Sequence, residues 1–176
     1  MLGSLLAGLS GLCFLYLVLK LHQVWEFVLL QKSIKGQVIP VVQFQKILDK
    51  EDNFDWFLVT ESFSMTIKFY LEDDGVVHTR IFGVPQFYIT NFISCPRILW
   101  PIIPPHGRGA VAACVHDFLY EKHYHRVELP KNYDYRRLYD IIFLAMLVNS
   151  NLPNWQCFVM YAYVRAFGWV TFKKKP

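Results

Sequence analysis

His106-Gly-Arg-Gly-Ala-Val-Ala-Ala-Cys-Val-His-Asp-Phe-Leu-Tyr120 is the stretch that holds the densest set of reactive side chains in this sequence. A proline pair and two glycines open it, and its composition then favours a helix, which we expect to run from Gly107 to about His123. This helix would carry the adjacent His116 and Asp117, with Tyr120 about one turn further on. We expect the rest of the chain either to anchor this helix to a membrane or to build a shell around it.

The composition predicts one membrane segment and one globular domain in 176 residues. The apolar fraction is 54%, above the roughly 45–50% of an ordinary soluble domain. The net charge is +4, and no basic stripe is interleaved with aromatic residues, so nucleic-acid binding is not expected. The basic tail Lys173–Lys175 suits an anionic membrane surface. The four cysteines are scattered, which predicts small buried side chains and favours a reducing compartment.

The N-terminus has the pattern of an uncleaved membrane anchor, which we assign to residues 1–32. Leu2 to Leu19 holds no charge and has about the minimum length for a membrane span. A signal peptide would begin with a charged region and end in a small-residue cleavage site. Lys20, Lys32 and Lys35 follow instead, so the globular domain is expected on the cytoplasmic side of a host membrane or the equivalent, inner side of a virion membrane. The alternative is an N-terminal helix buried against a partner.

Residues 33–54 are predicted to be a connector, in which Val41 to Leu48 forms either a short strand or a turn of helix. Residues 55–176 are predicted to form an α+β domain with a small antiparallel β-sheet and about three helices. Alternating apolar residues and the turn Asp73–Gly75 indicate the strands. They are expected at Trp56–Thr60, Ser64–Leu71, Val76–Phe82 and Phe87–Thr90.

Two further helices are expected after the one that carries His116. Asp134 can cap a helix over about Tyr135–Asn149, whose apolar residues repeat at helical spacing. The last helix is expected over about Trp155–Val170. It is aromatic, and a position in the core is more typical of such a helix than contact with a membrane.

The candidate chemistry lies on the first two of these helices. His116 and Asp117 are neighbours on a helix, so their side chains diverge by about 100° and could serve two roles at one pocket edge. A histidine suits general-base catalysis, and a carboxylate can hold a hard cation such as calcium. Asp140 lies on an apolar helix face and needs a partner there. If the partner is His116, Asp140 would orient the imidazole. If the partner is Arg136 or Arg137, the two residues would form a structural ion pair.

Two arginines are candidates for an anion site. Arg97 and Arg108 could hold a lipid phosphate, or they could pair with Asp117 or Asp140. Pairing with a carboxylate is the commoner use of such residues.

The sequence resembles a family of phage and prophage proteins called domain of unknown function 1353, over roughly residues 55 to 170. The motifs that carry the resemblance are Val84-Pro, Thr90-Asn-x-x-Ser-x-Pro-Arg97, Trp100, Pro104-Pro-x-Gly-Arg108, Ala112-Ala-x-x-His-Asp-x-Leu-Tyr120, Asp140-x-x-Phe143 and Met160-Tyr-x-x-Val-Arg-x-Phe-Gly-Trp169. The resemblance implies a bacteriophage origin and a compact α+β domain, and it brings no established activity. Phe87 and Asn91 stand where the family pattern has glycine and aspartate, which weakens Asn91 as a metal ligand.

A shorter stretch is similar to the catalytic helix of phospholipase A2. Ala112-Ala-Cys-Val-His-Asp-Phe-Leu-Tyr120 keeps the His-Asp pair and the tyrosine, and lacks that enzyme's disulfide cysteines. The similarity implies that His116 is the base for the attacking water, that Asp117 binds calcium and that Asp140 orients His116, with Tyr120 in support. The glycine-rich calcium loop of that family has no equivalent at the same spacing, and Thr90–Arg97 is the candidate substitute.

Three functions follow as hypotheses. The first is a membrane-anchored phage protein, a structural or accessory component of a virion membrane, with the lipid bilayer and other virion proteins as partners. The second is a calcium-dependent lipid hydrolase. The third is a factor directed at the host cell, in lysis or defence evasion.

Overall fold

The computed structural model describes residues 21–31, 37–47, 56–71, 73–92, 107–122 and 134–172. Helix α1 covers residues 21–31. The strands are β1 (Phe44–Ile47), β2 (Trp56–Val59), β3 (Phe63–Tyr70), β4 (Val77–Val84) and β5 (Ile89–Thr90). The later helices are α2 (Ala110–Lys122), α3 (Tyr135–Asn149) and α4 (Asn154–Phe167), and a 3₁₀ turn follows at Gly168–Val170.

The strands form two antiparallel sheets. Strands β1, β2 and β5 pair in that order, with Phe57 of β2 opposite Thr90 of β5. Strands β3 and β4 form a separate hairpin, in which Phe63 lies opposite Val84. Gly75 in the hairpin turn has a φ of 63°, a left-handed conformation that suits glycine. The expected α+β class is therefore confirmed, and the single sheet predicted from the sequence is wrong, since the described strands form two sheets.

Two glutamine side chains occupy the edge of β3 that none of the described strands covers. The amide of Gln31, at the end of α1, donates to the carbonyl of Tyr70 at 3.0 Å and accepts from its N–H at 3.2 Å. Gln37 makes the same two bonds with Lys68, at 2.6 and 2.9 Å. These bonds satisfy strand groups that would otherwise lack partners, and they fix α1 to the β3–β4 hairpin.

Helix α3 is the centre of the core. Every residue from Leu138 to Val148 is buried, because α2, α4 and β3 all pack against it. The inward residues of β3, Met65, Ile67 and Phe69, are buried as their alternation predicts. A helix enclosed on all sides must be apolar throughout, and Asp140 is the charged exception within this buried run.

The element predictions hold at most positions. Val41–Leu48 contains strand β1, which decides between the two alternatives for that segment. The helix predicted over Trp155–Val170 ends at Phe167 and continues as the 3₁₀ turn. Cys114 and Cys157 are buried, as expected. Residues 1–20, the larger part of the anchor predicted over residues 1–32, lie outside the described residues, whereas residues 21–31 form α1. Among the helices that are described, none is long and apolar enough to cross a membrane.

Replacing Asp134 with alanine is expected to lower the free energy of unfolding by about 1 kcal/mol. The Asp134 carboxylate caps α3 and accepts from the N–H of Arg136 at 3.1 Å. Urea unfolding measures the loss. Alanine at Glu61, which is exposed before β3, is the control and should have almost no effect. Equal losses in both variants would contradict a capping role for Asp134.

Candidate active site

Helices α2 and α3 bring His116 and Asp140 together. The helices run antiparallel, since Gly109 near the start of α2 lies against Leu147 and Tyr120 near its end lies against Asp140. Nε2 of His116 lies 3.0 Å from Oδ1 of Asp140. The His116 side chain is 4% exposed and that of Asp140 is fully buried. The pairing expected from the sequence is therefore present in the structure.

Asp140 accepts hydrogen bonds from two further groups. The Tyr120 hydroxyl donates to Oδ1, and Nη1 of Arg165 donates to Oδ2 at 2.8 Å. Arg165 is itself held, because its carbonyl accepts from the Arg136 guanidinium at 3.2 Å. A buried carboxylate with three donors is fully satisfied, so the cost of burying it is offset.

The pKa values within this cluster follow from that arrangement. Burial on its own raises the pKa of Asp140, but the hydrogen bond and charge of His116, with the bonds from Tyr120 and Arg165, outweigh it and hold the pKa below its ordinary value. Burial lowers the pKa of Arg165, and the bond to Asp140 more than reverses this effect. Burial and the negative charge of Asp140 raise the pKa of Tyr120. At neutral pH, Asp140 is therefore an anion and Tyr120 a neutral donor.

Aromatic rings hold the imidazole in place. The His116 ring lies 4.1 Å from the Tyr120 ring and 4.7 Å from the Phe143 ring, measured between centroids. Phe172, after the 3₁₀ turn, packs edge-on against Tyr120 at 5.1 Å. The packing leaves His116 little freedom to rotate, which is the preorganisation that a positioned base needs.

Replacing Gly168 with alanine is expected to disturb this cluster through Tyr120. A Cβ at position 168 would lie 2.6 Å from the Tyr120 hydroxyl oxygen, so one of them must move. We expect a loss of about 1–3 kcal/mol in unfolding free energy, as for other overpacked sites. Gly83→Ala is the matched control, because its nearest neighbour would be 3.8 Å away. Thermal unfolding compares the stability of the two variants. A Gly168→Ala protein as stable as the wild type would contradict the predicted clash with Tyr120.

A cavity of about 440 Å³ opens beside the cluster. Its polar wall includes His116 and Asp117, so the two side chains do meet one pocket from adjacent helix positions. The Thr90 hydroxyl on β5 donates to Oδ2 of Asp117 at 2.6 Å. The remaining lining is largely apolar and aromatic, and it includes Trp56, Tyr88, Ile89, Tyr163, Val164, Phe167 and Val170.

Asp117 and Asn91 are the metal ligands that the sequence suggested, and both line this cavity together with Glu121. Their oxygen atoms are of the type that calcium prefers. Within the described ranges, however, no cluster of three or more histidine, cysteine, aspartate or glutamate residues is arranged to hold a metal ion. The oxygen atoms of Asp117, Asn91 and Glu121 are therefore donors of the right chemical type for a hard cation, and the described residues show no arranged three-residue site.

Of the two arginines proposed for an anion site, only Arg108 is described by the structure, and it does not join the cluster. Arg97 lies outside the described residues. Arg108 donates to the carbonyl of Asn151 at 3.0 Å and lines a different cavity, between the start of α2 and the segment 37–42. Arg136 and Arg137 were the alternative partners for Asp140, but Arg137 pairs with Asp73 at 3.1 Å.

Arg165 is the cluster member that the sequence reasoning missed. It is the only charged residue of α4, whose other side chains are mostly apolar or aromatic. A charge on such a helix needs a partner in the core, as Asp140 does on α3. Matching the single charge of α4 with the carboxylate in the apolar part of α3 would have predicted the ion pair.

The family model described as protein of unknown function (DUF1353) matches residues 67–164, more than half of the chain. The chain belongs to this family. The match runs from β3 into α4, so the DUF1353 region contains His116, Asp117, Tyr120 and Asp140 and ends one residue before Arg165. Neither the curated proteins nor the solved structures contain a match.

Proposed function

We propose that this DUF1353 protein is a hydrolase that uses His116 as a general base against an ester of an apolar substrate. One observation carries the proposal. Nε2 of His116 is hydrogen-bonded to the buried carboxylate of Asp140, and the same imidazole lines a cavity. A base fixed by a carboxylate beside a space for substrate is the arrangement that activates water or another weak nucleophile.

The proton transfers follow from this geometry. In the tautomer that donates from Nε2 to Asp140, Nδ1 would carry the basic lone pair and would accept a proton from water. The water oxygen would then attack the ester carbonyl. The negative charge of Asp140 would stabilise the imidazolium, which returns the proton to the leaving alcohol. Tyr120 and Arg165 keep Asp140 in position and ionised through their own hydrogen bonds.

Asp117 would stabilise the oxyanion indirectly. Its carboxylate, with Asn91 and Thr90 at the same wall of the cavity, is the candidate ligand set for calcium. Calcium bound there would supply the positive charge that an ester oxyanion requires. The Thr90 hydroxyl meanwhile orients the Asp117 carboxylate.

The cavity lining suggests the substrate class. A volume of about 440 Å³ lies within the usual range for a ligand pocket, roughly 300–1,000 Å³. Val164, Phe167 and Val170 give one side of it an apolar surface suited to an acyl chain. A phospholipid ester, with its carbonyl near His116 and its chain along this side, is the substrate that we propose.

The test is ester release by the full-length protein from mixed phospholipid vesicles, with calcium or with a chelator. Mass spectrometry of fatty acid and lysolipid identifies the products. We expect release above the blank with calcium and a large decrease with the chelator. Release equal to the blank under both conditions, from protein whose folding has been confirmed, would refute the hydrolase. If the chelator does not change the release, the proposal that His116 is the base would stand, and a role for calcium would be excluded.

A membrane-anchored virion component is a separate proposal, and the uncharged stretch Leu2–Leu19 supports it. Purified phage particles should then contain the protein at a fixed ratio to the capsid protein, measured by quantitative mass spectrometry. Its absence from washed particles would count against this role. The remaining proposal for a membrane protein would then be a factor that acts on the host cell membrane.

A further inference from the structure

One side of α4 and the turn that follows it form an apolar wall of the cavity. Val164 and Phe167 are three residues apart, so they lie on the same side of the helix. Val170 follows in the 3₁₀ turn, and all three residues line the cavity. Arg165, the charge next to Val164, points instead to Asp140. We call Val164, Phe167 and Val170 the α4 wall.

The α4 wall leads from the interior of the protein to its surface. Val164 is 3% exposed, whereas Phe167 and Val170 are 55% and 67% exposed. Because the exposure rises along the chain, the wall has a closed end at Val164 and an open end at the turn. A ligand shaped like a chain would therefore enter at the open end and extend along the wall toward the closed end.

The closed end of the wall lies next to His116. Gly168, one turn after Val164, lies so close to Tyr120 that a Cβ at this glycine would be 2.6 Å from the phenol oxygen. The Tyr120 ring in turn lies 4.1 Å from the His116 imidazole, measured between centroids. The helical turn from Val164 to Gly168 is thus placed at the proposed base. The carbonyl of a bound ester would therefore lie beside Val164.

The side chains of the wall favour a straight ligand. Val164 is β-branched, and in a helix such a side chain strongly prefers one rotamer, so it does not swing aside. The Tyr163 ring, which also lines the cavity, packs on the Phe167 ring with centroids 5.1 Å apart. These rings form an extended apolar surface beyond the valine. A straight chain can follow this surface, whereas a branch next to the carbonyl would meet the methyl groups of Val164.

We propose that an unbranched acyl chain lies along the α4 wall, and that Val164 and Phe167 determine which chains are accepted. Val164 excludes a branch on the carbon next to the carbonyl, and Phe167 covers the carbons further along the chain. The proposal rests on the proposed function only for the bond that reacts, because binding of the chain is measured without hydrolysis. Ester release without any preference among chains would refute the wall and leave the hydrolase. Selection among chains without ester release would do the reverse.

Isothermal titration calorimetry of the full-length protein with primary amides tests the wall. A primary amide is neutral and keeps the carbonyl and the chain, but it lacks the ester bond. Octanamide and 2-propylpentanamide have the same atoms, and only the second is branched next to the carbonyl. We expect octanamide to bind about 5–100-fold more tightly than this isomer, since a branch overpacks the closed end. Octanamide should also bind about tenfold more tightly than hexanamide, because two more CH₂ groups leave water.

Substitutions at the two ends of the wall should change different comparisons. Val164→Ala widens the closed end and should reduce the preference for octanamide over its branched isomer, whereas Val164→Ile should increase it. Phe167→Ala should reduce the advantage of octanamide over hexanamide. Val159→Ala and Phe158→Ala are the matched controls, because they make the same changes on α4 at residues outside the cavity lining. Both controls should retain the affinities of the wild type.

The proposal would be overturned if the wild type bound the two isomers equally, or if neither substitution of Val164 changed its preference. Failure of all three amides to bind would also overturn it. Tighter binding of 3-phenylpropanamide than of octanamide would overturn it in favour of an aromatic ligand. Thermal unfolding shows whether each variant is folded. If Val164→Ala does not fold, Val164→Ile provides the test of the closed end.

Discussion

Replacing His116 with glutamine is expected to reduce ester hydrolysis by about 10²–10⁴-fold, the usual contribution of a positioned general base. The glutamine amide can still donate to Asp140, so the bond now made by Nε2 at 3.0 Å has a replacement. The lost property is the ability to accept a proton from water. The effect should therefore appear in kcat more than in KM.

The matched control for His116 is His78→Gln on β4. His78 also pairs with an aspartate, Asp74, with Nε2 2.8 Å from Oδ2, but it lies at the surface by the hairpin turn. Hydrolysis by this variant should equal that of the wild type. If both glutamine variants retain full activity and the wild-type fold, His116 is not the base.

Replacing Asp140 with asparagine is expected to lower the free energy of unfolding by about 3–5 kcal/mol, the usual cost of removing one partner of a buried ion pair. The carboxylate is fully buried and accepts from His116, Tyr120 and Arg165. Asparagine has nearly the same shape but no charge, and its NH₂ group faces donors. The Arg165 guanidinium would be left half-buried beside a neutral group.

The matched control for Asp140 is Asp73→Asn, which breaks the pair with Arg137. That pair has a similar distance, 3.1 Å, but its side chains are 53% and 29% exposed. Its loss should cost at most about 1 kcal/mol. Chemical denaturation of the full-length protein measures both variants, and equal losses would show that Asp140 contributes no more than a surface carboxylate.

The pH dependence of stability gives a further test of Asp140. Its folded-state pKa lies below the ordinary value of 3.8. Its charged form is thus favoured by folding, and its contribution is fully present above about pH 4 and lost as the pH falls toward the folded pKa. The difference in unfolding free energy between the wild type and Asp140→Asn should therefore shrink as the pH falls below about 4. A difference that grows on acidification would contradict the lowered pKa.

The sequence predicted the helix pair well because its signals are local. Asp134 marks the start of α3, and apolar spacing gives its length, so both ends of that helix agree with the structure. The pairing of His116 with Asp140 could also be expected, since a carboxylate on an apolar helix requires a donor. The hairpin β3–β4 followed from strict alternation around the turn at Gly75.

The errors concern contacts between residues far apart in sequence. Alternation identifies strands but not their partners, so β5 could not be assigned to β2. Arg108 is close to His116 in sequence, yet it lies before the start of α2 and donates to the carbonyl of Asn151. Arg165 is distant in sequence and completes the cluster. Local sequence patterns indicate which residues need partners. The packing of helices and strands determines which residues become those partners.

The burial of α3 on every side has a consequence for how this chain acquires its structure. No side of the helix from Leu138 to Val148 is suited to water, so α3 gains stability only when α2, β3 and α4 are all present to surround it. A ribosome-bound intermediate that ends at Asn149 would expose one side of this apolar helix, because α4, one of its three neighbours, would be missing. Such an intermediate invites chaperone binding or aggregation, and the chain must complete α4 before its central helix is protected.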